Sequence, residues 1–166
     1  MAIADDLAKI TQQEQALILP KFNHEVAWRI GTRLRELAVA CNLPVVIDVR
    51  RFGEPLFYAA LPGTSPNNAE WVRRKSNVVA RFFRSSYGMG RDLDLKQTTL
   101  QDRQALPLSD YAAHGGSFPI HVANAGIIGS VTVSGLPQRA DHELVVEALC
   151  AETGNDYASL RLPPEE

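Results

Sequence analysis

The chain has 166 residues, the length of one ordinary domain, and its 45% apolar and 22% charged residues are normal for a globular core with a polar surface. A formal charge of −2 gives no global field toward nucleic acid or an anionic membrane, and no apolar run approaches the roughly 20 residues that span a bilayer. The start, Met1-Ala2-Ile3-Ala4-Asp5-Asp6, lacks the basic and apolar regions of a secretory signal, so a reduced, cytoplasmic setting is expected, with Cys41 and Cys150 acting as small buried apolar residues in helices.

Residues 4–14 are predicted helical, with Leu7 and Ile10 at helical spacing, and 14–19 form an edge strand closed by Pro20. Asn23 suits the N-cap of a second helix, in which Val26, Ala27, Ile30, Leu34, Leu37, Ala38 and Cys41 make one apolar stripe. Asn42 and Pro44 stop it. The β-branched run from Val45 to Phe52, a turn at Gly53-Glu54 and the run from Pro55 to Ala60 read as a hairpin. A turn-rich loop over 61–68 leads into a helix over 69–84. Residues 85–117 have no clear pattern beyond a short helix near 100–104. Strands at 118–123 and 127–134, joined by Asn124-Ala125-Gly126, make a second hairpin, and a helix over 141–152 follows.

Two hairpins and an edge strand imply an α+β domain over residues 1–160, with a five-stranded, mainly antiparallel sheet flanked by helices, and a loose tail over 161–166. A doubly wound parallel sheet is excluded, because hairpins leave no room for crossover helices.

Several residues can carry chemistry. In His114-Gly115-Gly116, two glycines let backbone approach a ligand, free N–H groups could hold an anion, and His114 could carry a proton or serve as an axial ligand; a tight strand-entry turn is the plain alternative. Lys75 lies on the apolar stripe with Trp71, Val78/Val79 and Phe82, so it must either snorkel to an edge or face a pocket. Arg73, Arg74, Lys75, Arg81, Arg84 and Arg91 form a basic cluster that suits either a solvated helix face or an anion site. Asp141 reads as the N-cap of the last helix, or, with His142, as a pair at a site mouth near the end of the strand carrying Ser134. Asp48 and Arg50 share a sheet face and are expected to pair with each other.

Gly-x-Gly-x-x-Gly, Walker, Gly-x-Ser-x-Gly and Cys-x-x-Cys patterns are absent from the sequence, which argues against a standard nucleotide enzyme, an α/β-hydrolase or a thiol oxidoreductase. No histidine spacing suggests a metal site. Cys-x-x-Cys-His is absent too, so any haem would be held non-covalently, with His114 and His142 as the candidate axial ligands.

Gly115-Gly116-Ser117-Phe118-Pro119-Ile120, the run Gly126-Ile127-Ile128-Gly129-Ser130-Val131-Thr132-Val133-Ser134-Gly135, the helix from Trp71 to Val79 and Asp141 together resemble the GlcG/HbpS-like haem-degrading domain family. Leu61-Pro62-Gly63-Thr64, His114-Gly115-Gly116 and Ser134-Gly135-Leu136-Pro137-Gln138 with Asp141-His142 resemble one branch of it. The resemblance covers roughly residues 15–152. It implies a profilin-like α/β/α sandwich and a homo-oligomer, with haem or another anionic ligand as partner. The ligand-binding residues expected are Lys75, Arg74, His114, Gly115, Gly116, Ser134, Asp141 and His142, placed where the Lys75 helix, the His114 turn and the start of the last helix converge. Three readings stay open: a small-molecule-binding oligomer, a scaffold that engages protein partners, and a small-metabolite enzyme using Lys75, His114 and Asp141 as acid/base groups.

Overall fold

A computed structural model describes residues 2–165. Among the described residues, seven helices and five strands occur in the order α1 (Ala2–Ala16), β1 (Ile18–Leu19), α2 (His24–Ala40), β2 (Val46–Arg51), β3 (Glu54–Ala60), α3 (Pro66–Phe82), α4 (Ser86–Leu95), α5 (Leu100–Gln104), β4 (Ser117–Val122), β5 (Gly126–Ser134), α6 (Gln138–Thr153) and α7 (Tyr157–Leu160). The single sheet runs β1-β4-β5-β2-β3. Only the β1–β4 pairing is parallel; the others are antiparallel, as hairpins require. Pro119 is tolerated in β4 because β1 pairs only with His121 and Val122, leaving the rest of that edge open.

Alternation along the strands gives the sheet two unlike faces. Ile47, Val49, Phe118, Ile120, Val131 and Val133 join Val26, Ile30 and Leu34 of α2 and Val145, Val146 and Leu149 of α6 in the main core. Each such side chain contributes about 1.5–3 kcal/mol by leaving water. The opposite face carries Asp48, Arg50, Ser117, Ser130, Thr132 and Ser134, and α3 lies across it. Asp48, Thr132 and Ser117 stand side by side across three strands, with Thr132 Oγ1 donating to Ser117 Oγ at 2.9 Å. Asp48 takes both forks of Arg50, at 2.7 and 2.8 Å, the expected pair.

Several expectations need correction. Glu14, Gln15 and Ala16 belong to α1, so β1 shrinks to two residues. Residues 85–117 are ordered by a helix that the sequence pattern hides. Its Gly88 and Gly90 lower helix propensity, yet Ser85 caps it and Gly90 allows a close approach, since a Cβ there would lie 2.1 Å from Ala113 O. The short helix near residue 100 is α5. Cys150 is buried in α6, but Cys41 is exposed at the C-cap of α2, beyond the last buried position of the stripe, Ala38. The tail is not loose through Leu162, which is buried against Ile10 and Tyr87. Glu143 accepts its N–H at 2.6 Å, and Arg139 donates to Pro163 O. Pro164 and Glu165 are exposed, and Glu166 lies outside the described residues. Among the described residues no helix is long and apolar enough to cross a membrane.

Candidate functional site

α3 and α6 cover opposite faces of the sheet and approach each other where β5 ends. Lys75 leaves α3 along its buried side, and its Nζ donates to Asp141 Oδ2 at 3.0 Å and to Val133 O at 3.3 Å. Both residues of this pair are buried, Lys75 at 3% exposure and Asp141 at 1%. An ammonium has three hydrogens; two find oxygen acceptors, and beyond them the nitrogen has only the Trp71 ring, its centroid 5.9 Å away. Burial pushes the Lys75 amine below its ordinary value and the Asp141 carboxyl above its own; in each case the partner's charge opposes the shift. Gly116, at φ +139°, makes room for the lysine, because a Cβ there would come 2.7 Å from Nζ and 2.3 Å from Val133 O.

Asp141 is not the N-cap of α6. The helix starts earlier, at Gln138 after Pro137, and this leaves Asp141 inside the first turn. There its carboxylate accepts from Leu136 N at 2.9 Å and Gly135 N at 3.4 Å, so it fixes the chain that enters the helix from β5.

The pair forms part of a cavity of about 320 Å³ lined by Asn68, Trp71, Lys75, His114, Ser134, Gly135, Leu136, Gln138 and Asp141. His114 stands exposed at the wall, its ring edge-on to Trp71 with centroids 5.5 Å apart, and neither nitrogen has a hydrogen-bond partner among the described residues. Partial desolvation and the positive charges of Lys75 and Arg74 hold its pKa below the ordinary imidazole value. At neutral pH the ring therefore offers a lone pair rather than a charge. Asn68 and Gln138 belong to the first turns of α3 and α6, so two helix N-termini meet at this cavity and favour negative charge in it.

The expected site residues divide. Lys75, His114, Ser134 and Asp141 share the cavity. Arg74 lies beside it, with its guanidinium 4.6 Å from the Trp71 ring centroid and its Nε donating to Leu108 O. Gly115 is not a free anion donor, because its N–H donates to Gln138 Oε1 at 3.0 Å. Gly116 serves as the space beside Lys75. His142, one residue after Asp141, turns into the interior. It is fully buried, 2.8 Å from Gln13 Oε1 and packed against Tyr87 and Phe118. Desolvation, with Arg139 adding to it, pushes its pKa down to about 3, so it is a neutral core residue whose burial keeps it from serving as a ligand to haem.

The basic cluster also disperses. Arg73 pairs with Glu70 and Asp110, Arg84 with Asp92, and Arg91 with Asp6, while Arg81 lies over Tyr111. Sequence reasoning missed Trp71 and Gln138 as cavity walls. Trp71 could have been found one helical turn before Lys75 on the same stripe. No grouping of His, Cys, Asp and Glu suited to a metal ion occurs among the described residues.

For haem, the fit of these residues is partial and lies at the rim. His114 supplies an accessible neutral imidazole and Arg74 a guanidinium with no carboxylate partner among the described residues, whereas the floor is polar and small.

The family model described as haem degrading protein, HbpS-like, matches residues 22–150. A UPF0303 protein of Acidobacterium capsulatum is 61% identical over 163 residues, 98% of this chain and 99% of that protein. The crystal structure of the Ybr137w protein superposes with a TM-score of 0.85 at 26% identity, covering 92% of each chain. A PduOC–haem complex shares the fold, with a TM-score of 0.67 at 15% identity over 78% of this chain and 94% of that one. The chain therefore belongs to the HbpS-like haem degrading family.

Proposed function

We propose that this chain is a small-molecule-binding domain that takes an anionic ligand in the cavity between α3, α6 and the His114 turn. One observation carries the reading: Lys75, His114 and Asp141, from three distant segments, wall a single cavity at which two helix N-termini also converge. The cavity is at the small end of ligand pockets, which suits a compact carboxylate or phosphate. Haem is the particular anion that the family suggests. His114 and Arg74 would hold it, the imidazole toward the iron and the guanidinium toward a carboxylate, and the bound group would supply iron redox chemistry. The same reading includes a homo-oligomer working in the cytoplasm. The outer strand β3 supports the oligomer, because its Leu56-Phe57-Tyr58-Ala59-Ala60 stretch carries no charge to block pairing with another strand.

Titration with hemin tests the haem form. A saturable Soret band at micromolar protein, shifted or lost in His114→Ala, is the expected result. A band unchanged by that substitution, or none, overturns haem binding through His114. Light scattering tests the oligomer, and a clean monomer at low concentration would contradict it.

A further inference from the structure

The ammonium of Lys75 is set as a nucleophile would be. It is one of only four lysines, with Lys9, Lys21 and Lys96, and it alone of them is buried. Its nitrogen reaches one carboxylate oxygen and one carbonyl oxygen, and its third hydrogen has no oxygen or nitrogen acceptor among the described residues, only the face of Trp71 with its centroid 5.9 Å away. Here the residue lies at a cavity wall, beside a carboxyl group that can take and return its proton at 3.0 Å. The walls add polar groups suited to a small oxygen-rich molecule, namely Ser134, Asn68 and Gln138.

We infer that the ligand of this cavity is a small oxo acid, a carboxylate that also bears an aldehyde or ketone, and that Lys75 captures it as an imine. This rests on the anion-binding reading above and adds the carbonyl to it. The chemistry balances within the site. The Lys75 ammonium passes one proton to Asp141, leaving a neutral amine and a neutral carboxyl group. The amine lone pair forms a C–N bond to the carbonyl carbon while the C=O π pair moves to oxygen. That oxygen takes the proton back from Asp141 and a second proton from the nitrogen, and leaves as water. The product is an iminium whose positive charge faces the Asp141 carboxylate, so the pair keeps its charges and no oxidant or reductant is needed. Desolvation, which lowers the cost of the neutral amine, supports the first step.

Pyruvate is a suitable probe, and lactate, which keeps the carboxylate but lacks the carbonyl, is its control. The full-length native chain is incubated with pyruvate and cyanoborohydride, and the reduced adduct is located by peptide mass mapping. Histidine ring-proton NMR follows binding of both acids without trapping. The expected result is an adduct on Lys75 at roughly tenfold or more over the exposed Lys21 and Lys96, because of these three only Lys75 has a buried carboxyl group placed to carry its proton. Excess lactate should suppress it, and Lys75→Arg should abolish it while keeping a cation for Asp141. Because the native chain carries three other lysines as internal standards, the test does not depend on that variant folding. Labelling of Lys9, Lys21 and Lys96 at levels equal to Lys75, or no adduct on Lys75, overturns the imine. If both acids shift the His114 signal while no adduct forms, the imine falls and the anion site stands. If neither acid shifts it, both fall.

Discussion

Between the sheet and helices α2 and α6 the filling is Ile30, Leu34, Ile47, Val49, Val131, Val133 and Val145, each shut from solvent. Between the sheet and α3 it is mainly polar, with Asp48, Lys75, Ser76, Ser130 and Thr132 nearly as buried and Val72 and Val79 of α3 on the same helix face as Lys75. Both layers come from the same strands, because alternate residues point opposite ways. The apolar layer closes by shape. The polar layer has to satisfy hydrogen bonds, and its short hydroxyl side chains fill less volume than branched apolar ones. Two cavities adjoin it: the one holding Lys75 and His114, and one of about 370 Å³ lined by Arg50, Ser76, Phe83 and Ser130. One face of the sheet thus holds the fold together, while the other leaves room for a ligand.

Breaking each layer separately should expose that division. The largest loss is expected from Asp141→Ala, which leaves the Lys75 ammonium buried without its carboxylate and frees Leu136 N and Gly135 N; about 3–5 kcal/mol in urea unfolding is predicted. Asp48→Ala should cost less, about 1.5–3 kcal/mol, because the Arg50 side chain is 20% exposed, against 4% for Lys75, and can swing outward. Equal losses would mean that the two pairs play the same structural part. On the apolar side, Leu34→Ala should cost about 2–5 kcal/mol through the cavity it leaves, with no change in ligand affinity.

The interior side of α6 gives a pH signature. His142 in the folded chain stays neutral down to about 3, whereas the unfolded imidazole takes a proton near 6.5. Below that upper value the unfolded state binds more protons, so stability falls as pH drops from about 6.5 toward 3, by at most ~1.4 kcal/mol per unit from this residue. Stability curves for the native chain and His142→Gln between pH 7 and 4 check it; the variant should lose that part of the slope. The smallest stability effect is expected at the cavity mouth. His114→Ala should stay within about 0.5 kcal/mol of the native chain, since among the described residues its exposed ring makes no hydrogen bond and only an edge contact with Trp71, yet it should remove haem binding.

Much of this division was legible in the sequence, and the reasons differ by region. The alternation Ile47-Asp48-Val49-Arg50 announces both layers and the Asp48–Arg50 pair, because two-residue spacing fixes the face. Lys75 on an apolar stripe announces a cation that either snorkels to an edge or faces a pocket, but not its partner 66 residues away, which only the folded chain brings near. α4 stayed hidden behind its glycines, whose close packing against Ala113 no local pattern reveals. Asp141 and His142 looked like one pair because they are adjacent. On a helix, neighbours point about 100° apart, so one faces the cavity and the other the core.

The most direct test of ligand binding in the polar layer is histidine NMR of the native chain during titration with lactate. Of the four histidines, His114 alone should shift, saturably, with His142 unmoved in the core and His24 and His121 unmoved elsewhere. Equal small shifts of His24 and His121, or a flat His114, would contradict an anion site in this cavity.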